Sequence, residues 1–351
     1  AAYKNASDKK TFVWTLDEWR AKCGKVLASK DRYFLITKDP ITMKSILVDD
    51  GFDPGEVKTV IIGPCNDRPG ATKLGNNQAI TQPEADALGV TLLPLRTNFG
   101  GEVFLDGVTL MHDEFFEKLT QAKTLPTTSQ IPPFDFEEAF RRLHAAGAEI
   151  LVITLSSKLS GTYQSAVIAA QETGIDVTIV DSENVTAGER VLADLAIRLR
   201  DKGCGAKEIA AKLEEAKKHL CIIGRVDTLE YLYRGGRLSK TSAIAGTLLN
   251  IKPVLTVRDG QLAVLGKARG ARQSNNFLNE AIATRGGIDF SQPLMLGYSG
   301  TSDTALQEYI AASREIWEGK LESLPITSIG STIGTHVGPG AIVVAFFANE
   351  Q

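Results

Sequence analysis

Apolar positions along this chain alternate between short continuous runs and helical stripes. Ile150 to Leu155 is the clearest run, nearly all apolar and rich in β-branched residues, as in a strand covered on both faces. Val57–Ile62, Val90–Leu95 and Val177–Asp181 have the same character. Stripes at helical spacing separate or follow them over Phe134–Ala146, Tyr163–Gln171, Ala187–Lys202 and Ala206–His219. Strand and helix alternating at this spacing predict an α/β fold with a parallel, doubly wound sheet.

The flanking segments read differently. Thr15–Leu27 predicts a helix, capped by Thr15, with Leu16, Trp19 and Cys23 on its apolar stripe, and Tyr33–Thr37 a short strand. Gly63–Ala79 is rich in Gly, Pro and Asn and reads as loop. Asn98–Asp106 predicts a turn leading into an edge element. Asp113–Ala122 is an amphipathic helix with Phe115, Phe116 and Leu119 inward, and Leu125–Pro133 an extended loop bounded by prolines. After His219 the pattern becomes mixed. It gives a strand at Leu220–Val226, a short helix from Leu229, a basic glycine-broken loop at Tyr231–Lys240 and a small-residue helix at Ser242–Asn250. A hairpin over Pro253–Leu265 turns at Asp259-Gly260. Helices at Asn275–Ala283 and Asp303–Trp317 and strands at Leu294–Tyr298 and Ala341–Ala348 complete it. The expected organisation is an extension over residues 1–56, a parallel α/β domain over 57–218 and a mixed α/β domain over 219–351.

Composition narrows the function classes. A hydrophobic content of 43% over 351 residues supports a large core, and a net charge of −3 with scattered Lys and Arg gives no reason to expect nucleic acid or an anionic membrane. The cysteines, Cys23, Cys65, Cys204 and Cys221, lack metal or CxxC spacing and suit free thiols in a reducing compartment. With no apolar stretch of membrane-spanning length and no signal h-region, the cytoplasm is the expected location.

The chemistry lies in the loops. Leu155 is followed by Ser156, Ser157, Ser160 and Thr162 around the flexible Gly161, and then by a helix start. Hydroxyl donors and free helix N–H groups at the carboxyl end of a parallel strand make a small-anion site; the plain alternative is that the serines only cap the helix. Thr127, Thr128 and Ser129 with Gln130 offer a second hydroxyl set, or a solvated turn. His336 lies in the glycine-rich stretch Gly330–Gly340, where it could meet a carboxylate or be structural. Arg234, Arg237 and Lys240 form a basic edge that could bind phosphate or an acidic partner, or simply face solvent. Ser160 and His336 raise the possibility of a hydrolase acting on an acyl or phosphorylated small molecule. However, no G-x-S-x-G elbow, Walker loop, G-x-G-x-x-G after a strand, or metal-spaced His/Asp/Glu cluster is present. An anion site without those parts points to binding rather than turnover.

Taken in order, the motifs resemble the DegV family. They are Val90-Thr-Leu-Leu-Pro-Leu95, Asn98-Phe-Gly-Gly101, Leu125-Pro-Thr-Thr-Ser-Gln130, Leu155-Ser-Ser-Lys-Leu-Ser-Gly-Thr-Tyr-Gln-Ser165, Val180-Asp-Ser182, Asp227-Thr-Leu-Glu-Tyr-Leu232, Arg234-Gly-Gly-Arg-Leu-Ser-Lys240, Leu249-Asn-Ile-Lys-Pro-Val-Leu255 and Ile333-Gly-Thr-His-Val-Gly-Pro-Gly-Ala341. The resemblance implies two α/β domains with a long-chain fatty acid between them and no other cofactor. It implies a carboxylate held by Thr128 and Ser160 with His336 nearby, supported by Thr127, Ser129, Ser156, Ser157, Gly161 and Thr162. It further implies a partner fatty acid kinase that phosphorylates the carboxylate, faced by Arg234, Arg237, Lys240 and Arg269, and no catalytic residue on this chain. The family's usual Asp-Ser-Thr-x-Asp motif is missing after Val60-Ile-Ile, and the first 56 residues could serve as an interaction module.

Overall fold

The computed structural model describes residues 2–4, 11–13, 59–65, 82–238 and 250–349. The expected helices at Thr15–Leu27 and Ser242–Asn250, the strand at Tyr33–Thr37, most of the Gly63–Ala79 loop, and Lys240 lie outside these residues or reach them only at an end. The chain forms two compact units, Ala1–Val57 and Lys58–Gln351. In the first, β1 (Ala2–Lys4) and β2 (Thr11–Val13) pair antiparallel.

The second unit is α/β and, among the described residues, contains three sheets. Strands β3 (Thr59–Cys65), β4 (Val90–Pro94), β8 (Glu149–Thr154) and β9 (Val177–Asp181) form a parallel sheet in the order β4-β3-β8-β9. The Ile150–Leu155 run fixes its centre: Ile150, Leu151, Val152 and Ile153 are all buried, as a strand with neighbours on both faces must be. Between β4 and β8 runs a small antiparallel sheet, β6-β5-β7, made of β5 (Arg96–Phe99), β6 (Glu102–Leu105) and β7 (Thr127–Ser129). The segment expected to be an extended loop therefore supplies a strand, because Thr127–Ser129 pairs with Arg96–Asn98.

Strands β10 (Leu220–Arg225), β11 (Ile251–Arg258), β12 (Gln261–Arg269), β13 (Leu294–Tyr298), β14 (Ile326–Ser328) and β15 (Ile342–Phe347) form a mixed sheet in the order β12-β11-β10-β15-β13-β14. β15 is wholly buried and lies between β10 and β13, although it is the last strand among the described residues. The β11–β12 hairpin turns at Asp259 and Gly260, both at positive φ, as a tight two-residue turn requires.

The helices are α1 (Gln82–Ala87), α2 (His112–Gln121), α3 (Pro133–Ala145), α4 (Thr162–Thr173), α5 (Ala187–Asp201), α6 (Ala206–Ala216), α7 (Glu230–Arg234), α8 (Gly270–Thr284), α9 (Thr304–Ala312), α10 (Arg314–Trp317) and α11 (Ser331–Val337). Further results differ from the sequence reading. Asp303–Trp317 is broken at Ser313, whose backbone leaves helical geometry, and the Gly330–Gly340 stretch read as loop contains α11. Helix α5 lies between the two large sheets, packing on β3 and β8 and also on β10, β13 and β15. Its Val191, Leu192, Ala193, Ala196 and Ile197 join one core that continues into Ile222, Met295 and Val343.

Candidate functional site

A cavity is walled by the mixed sheet on one side and by the segments that follow β4 and β8 on the other. Leu155 and Val185 line it from one side, and Ile222, Leu255, Leu262 and Val343 from the other. Polar side chains at its wall include Thr128, Ser129, Ser160, Arg237, Thr332 and His336. Its lining suits a mostly apolar ligand with a polar end.

The turn after β8 places Ser160. The Leu159 and Ser160 N–H groups both donate to the Ser156 carbonyl, at 3.0 and 3.1 Å. The Ser160 hydroxyl lies 2.9 Å from that of Thr162 and accepts the Thr162 N–H at 3.3 Å, a local serine turn that starts α4. Gly161 lets another segment approach: a Cβ there would strike the Gln130 carboxamide, which donates to the Ser165 hydroxyl at 2.8 Å. The two hydroxyl-bearing segments read from the sequence are thereby joined. Ser156 has a different task. Its buried hydroxyl donates to the Gly260 carbonyl at 2.7 Å, tying this turn to the tip of the β11–β12 hairpin. Ser157 is exposed and donates its N–H to Asp181, while Thr127 is exposed on β7.

Thr128 and His336 meet directly, Oγ1 to Nε2 at 2.8 Å. His336 is buried, and its Nδ1 has no hydrogen-bond partner among the described residues. The ring lies against Gly235, where a Cβ would overlap Nδ1. A proton on Nδ1 would strand a donor in the interior. A proton on Nε2 leaves only a lone pair there and makes Nε2 the donor to Thr128, so we assign that tautomer. The Thr128 hydroxyl then keeps its own proton for a second acceptor. Burial, and then the positive charge of Arg237, push His336 down to about 4, so the ring is neutral at pH 7.

Arg237 turns inward: Nε donates to the Leu159 carbonyl at 3.1 Å and Nη1 to the Gly235 carbonyl at 2.8 Å. Burial lowers its pKa, but a guanidinium remains charged. Arg234 is exposed and pairs with Glu230 at 2.7 Å, and Arg269 is exposed at the end of β12. The basic edge read from the sequence thus divides, with one arginine at the cavity and one in solvent.

Helix α11 owes its place to residues the sequence reading did not single out. Its N-cap, Gly330, has no side chain to offer. The Asp106 carboxylate substitutes, accepting the Ser331 and Thr332 N–H groups at 2.8 Å each. Burial raises the pKa of Asp106, and those N–H groups, followed by the Ser331 and Thr332 hydroxyls, oppose the rise. The Thr97 hydroxyl lies 2.9 Å from that of Ser331. Nothing local in the sequence signals a cap that bridges 225 residues.

A hydrolytic Ser160–His336 pair would need the serine hydroxyl on the imidazole. Instead Ser160 engages Thr162, and His336 Nε2 engages Thr128. Among the described residues, no group of His, Cys, Asp and Glu side chains could hold a metal ion, and no helix is long and apolar enough to cross a membrane.

Known proteins resemble this chain over most of its length. A family model described as an uncharacterised protein of the DegV family matches residues 78–349. A second, for the PTS system sorbose subfamily IIB component, matches residues 1–93. A DegV domain-containing protein of Caldanaerobacter subterraneus subsp. tengcongensis is 36% identical over 259 residues, covering 74% of this chain and 91% of its own. Among solved structures, a fatty-acid-binding DegV family protein from Thermus thermophilus is 28% identical with a TM-score of 0.70, covering 83% of this chain and 100% of its own. A DegV lipid-binding protein from Thermotoga maritima is 25% identical with a TM-score of 0.72, covering 84% and 100%.

Proposed function

The chain belongs to the DegV family, and on that premise we propose that it binds a long-chain fatty acid in the cavity between its mixed sheet and the segments that follow β4 and β8. The observation that carries the proposal is an apolar chamber with the Thr128–His336 hydrogen bond and the Ser160 hydroxyl at its wall. Thr128 and Ser160 donate to the carboxylate, and His336 holds Thr128 in the donating orientation. Arg237 adds a positive charge that offsets part of the cost of burying the anion. Each buried methylene contributes about 0.8 kcal/mol, so the tail supplies most of the affinity and the hydroxyls fix which end is held. The chain serves as a carrier without catalytic residues of its own. It presents the carboxylate to a kinase that transfers a phosphoryl group to it, and the exposed Arg234 and Arg269 face that partner.

Native mass spectrometry of the purified protein, with lipid extraction, tests the first part. A bound mass matching a long-chain fatty acid, or uptake of added palmitate, is expected; neither bound lipid nor uptake refutes it. Incubation with ATP, palmitate and a bacterial fatty acid kinase tests the second. Acyl phosphate should form only when both proteins are present, and turnover by this chain alone would overturn the carrier role.

A further inference from the structure

Asp106 follows β6, is fully buried, and caps a helix far away in the chain. Helix α11 is a single short piece, Ser331–Val337, of a length that does not hold itself together in water. One small sheet grips it at both ends. At the first turn Asp106 accepts two of the N–H groups that every helix start leaves free, and its charge suits the positive end of the helix. Thr97 on β5 adds a hydroxyl contact to Ser331. At the last turn Thr128 on β7 meets His336. Between them Gly334 packs so closely on Phe115 and Phe116 that a Cβ would overlap both rings.

From this arrangement we propose that Asp106 is a positioning residue for the ligand's carboxylate. By fixing the first turn of α11 it sets the height and rotation of His336, and through His336 the direction of the Thr128 hydroxyl. The proposal rests on the fatty-acid reading above and extends it to a residue about 7 Å further along the helix axis, a little over one turn from His336.

The test combines a double-mutant cycle with imidazole NMR on the full chain. Palmitate affinity is measured for the wild type, Asp106→Asn, His336→Gln and the double variant. Asp106→Asn keeps the side-chain shape and loses one acceptor and the charge, and it is expected to weaken palmitate binding about five- to tenfold. In the His336→Gln background the same change should have no further effect. In the ligand-free protein, ¹⁵N-edited spectra of His336 should change from a single Nε2–H tautomer toward a mixture. An affinity loss that simply adds to that of His336→Gln, or an unchanged tautomer, overturns the proposal and leaves Asp106 as a stabilising cap. If Asp106→Asn does not fold, Thr97→Val reads the same coupling. If the wild type takes up no fatty acid, the lipid reading fails, and the ligand-free imidazole spectra still decide whether Asp106 governs His336.

Discussion

Replacing Thr128 with Val separates two roles of one hydroxyl. Valine has nearly the same shape and the β-branching that suits β7, so the strand should persist. On the proposed reading, the change removes a donor to the ligand's carboxylate. A hydrogen bond to a charged group contributes about 1.5–3 kcal/mol, so palmitate affinity should fall about 10- to 150-fold. The change also leaves the His336 Nε2–H without its partner, at a cost of about 1–3 kcal/mol. That second cost is present with and without ligand, so it cancels in the affinity and appears only in stability. Delipidated protein titrated with palmitate by calorimetry reads the first quantity, and thermal unfolding of the ligand-free protein, expected to drop by several degrees, reads the second. A lowered melting temperature with affinity within twofold of wild type would refute the assignment: Thr128 would then hold the imidazole and not the ligand.

Three other perturbations have defined signs. His336 is held at about 4 in the folded protein and returns to its ordinary value of 6.5 on unfolding. The unfolded chain therefore takes up the proton first as pH falls, and ligand-free stability should drop by about 3 kcal/mol between pH 6.5 and pH 4. Urea unfolding across that range should show a shallower loss in His336→Gln. Glu189, buried in the first turn of α5, has its pKa raised well above 4.5 by burial and by the charge of Asp181, and its Oε1 has no partner among the described residues. The folded state keeps this proton while the unfolded chain releases it above 4.5, so the residue costs stability as pH rises; Glu189→Gln should gain more over the wild type at pH 8 than at pH 5. Gly235→Ala should push the His336 ring off its site and weaken palmitate binding at least tenfold, since the added Cβ would occupy the space of Nδ1; an unchanged affinity would contradict that packing.

The elements that depend on their own residues were legible in the sequence. Ile150–Leu155 carries enough apolar surface to name itself a central strand, and Asp259-Gly260 names its turn through the positive φ that few other pairs accept. Helix α11 was not legible. Ser331-Thr332-Ile333-Gly334-Thr335 has weak helix propensity, no helical apolar period and sits in a stretch of four glycines from Gly330 to Gly340, and its cap comes from Asp106. The site divides in the same way. Thr128, Ser160 and His336 were found as three hydroxyl or imidazole positions in unusual loops, and the structure brings them to one cavity wall. That His336 bonds Thr128, that Arg237 turns inward while Arg234 does not, and that Ser156 clasps a hairpin are matters of tertiary geometry. Residue type alone carries none of them.

The place of β15 has a consequence for how the protein is made. A ribosome delivers β10 long before Ile342–Phe347, yet β10 and β13 have no direct bond to each other and meet only across β15. Until Ile342–Phe347 emerges, the mixed sheet is two separate pieces, and α5 presents Val191, Leu192 and Ile197 with one of its two supports incomplete. Between the synthesis of α5 and that of β15 the nascent chain therefore carries a partly covered apolar helix face, the exposure that chaperones recognise. Deleting β15 should turn this chain into a client of the folding machinery.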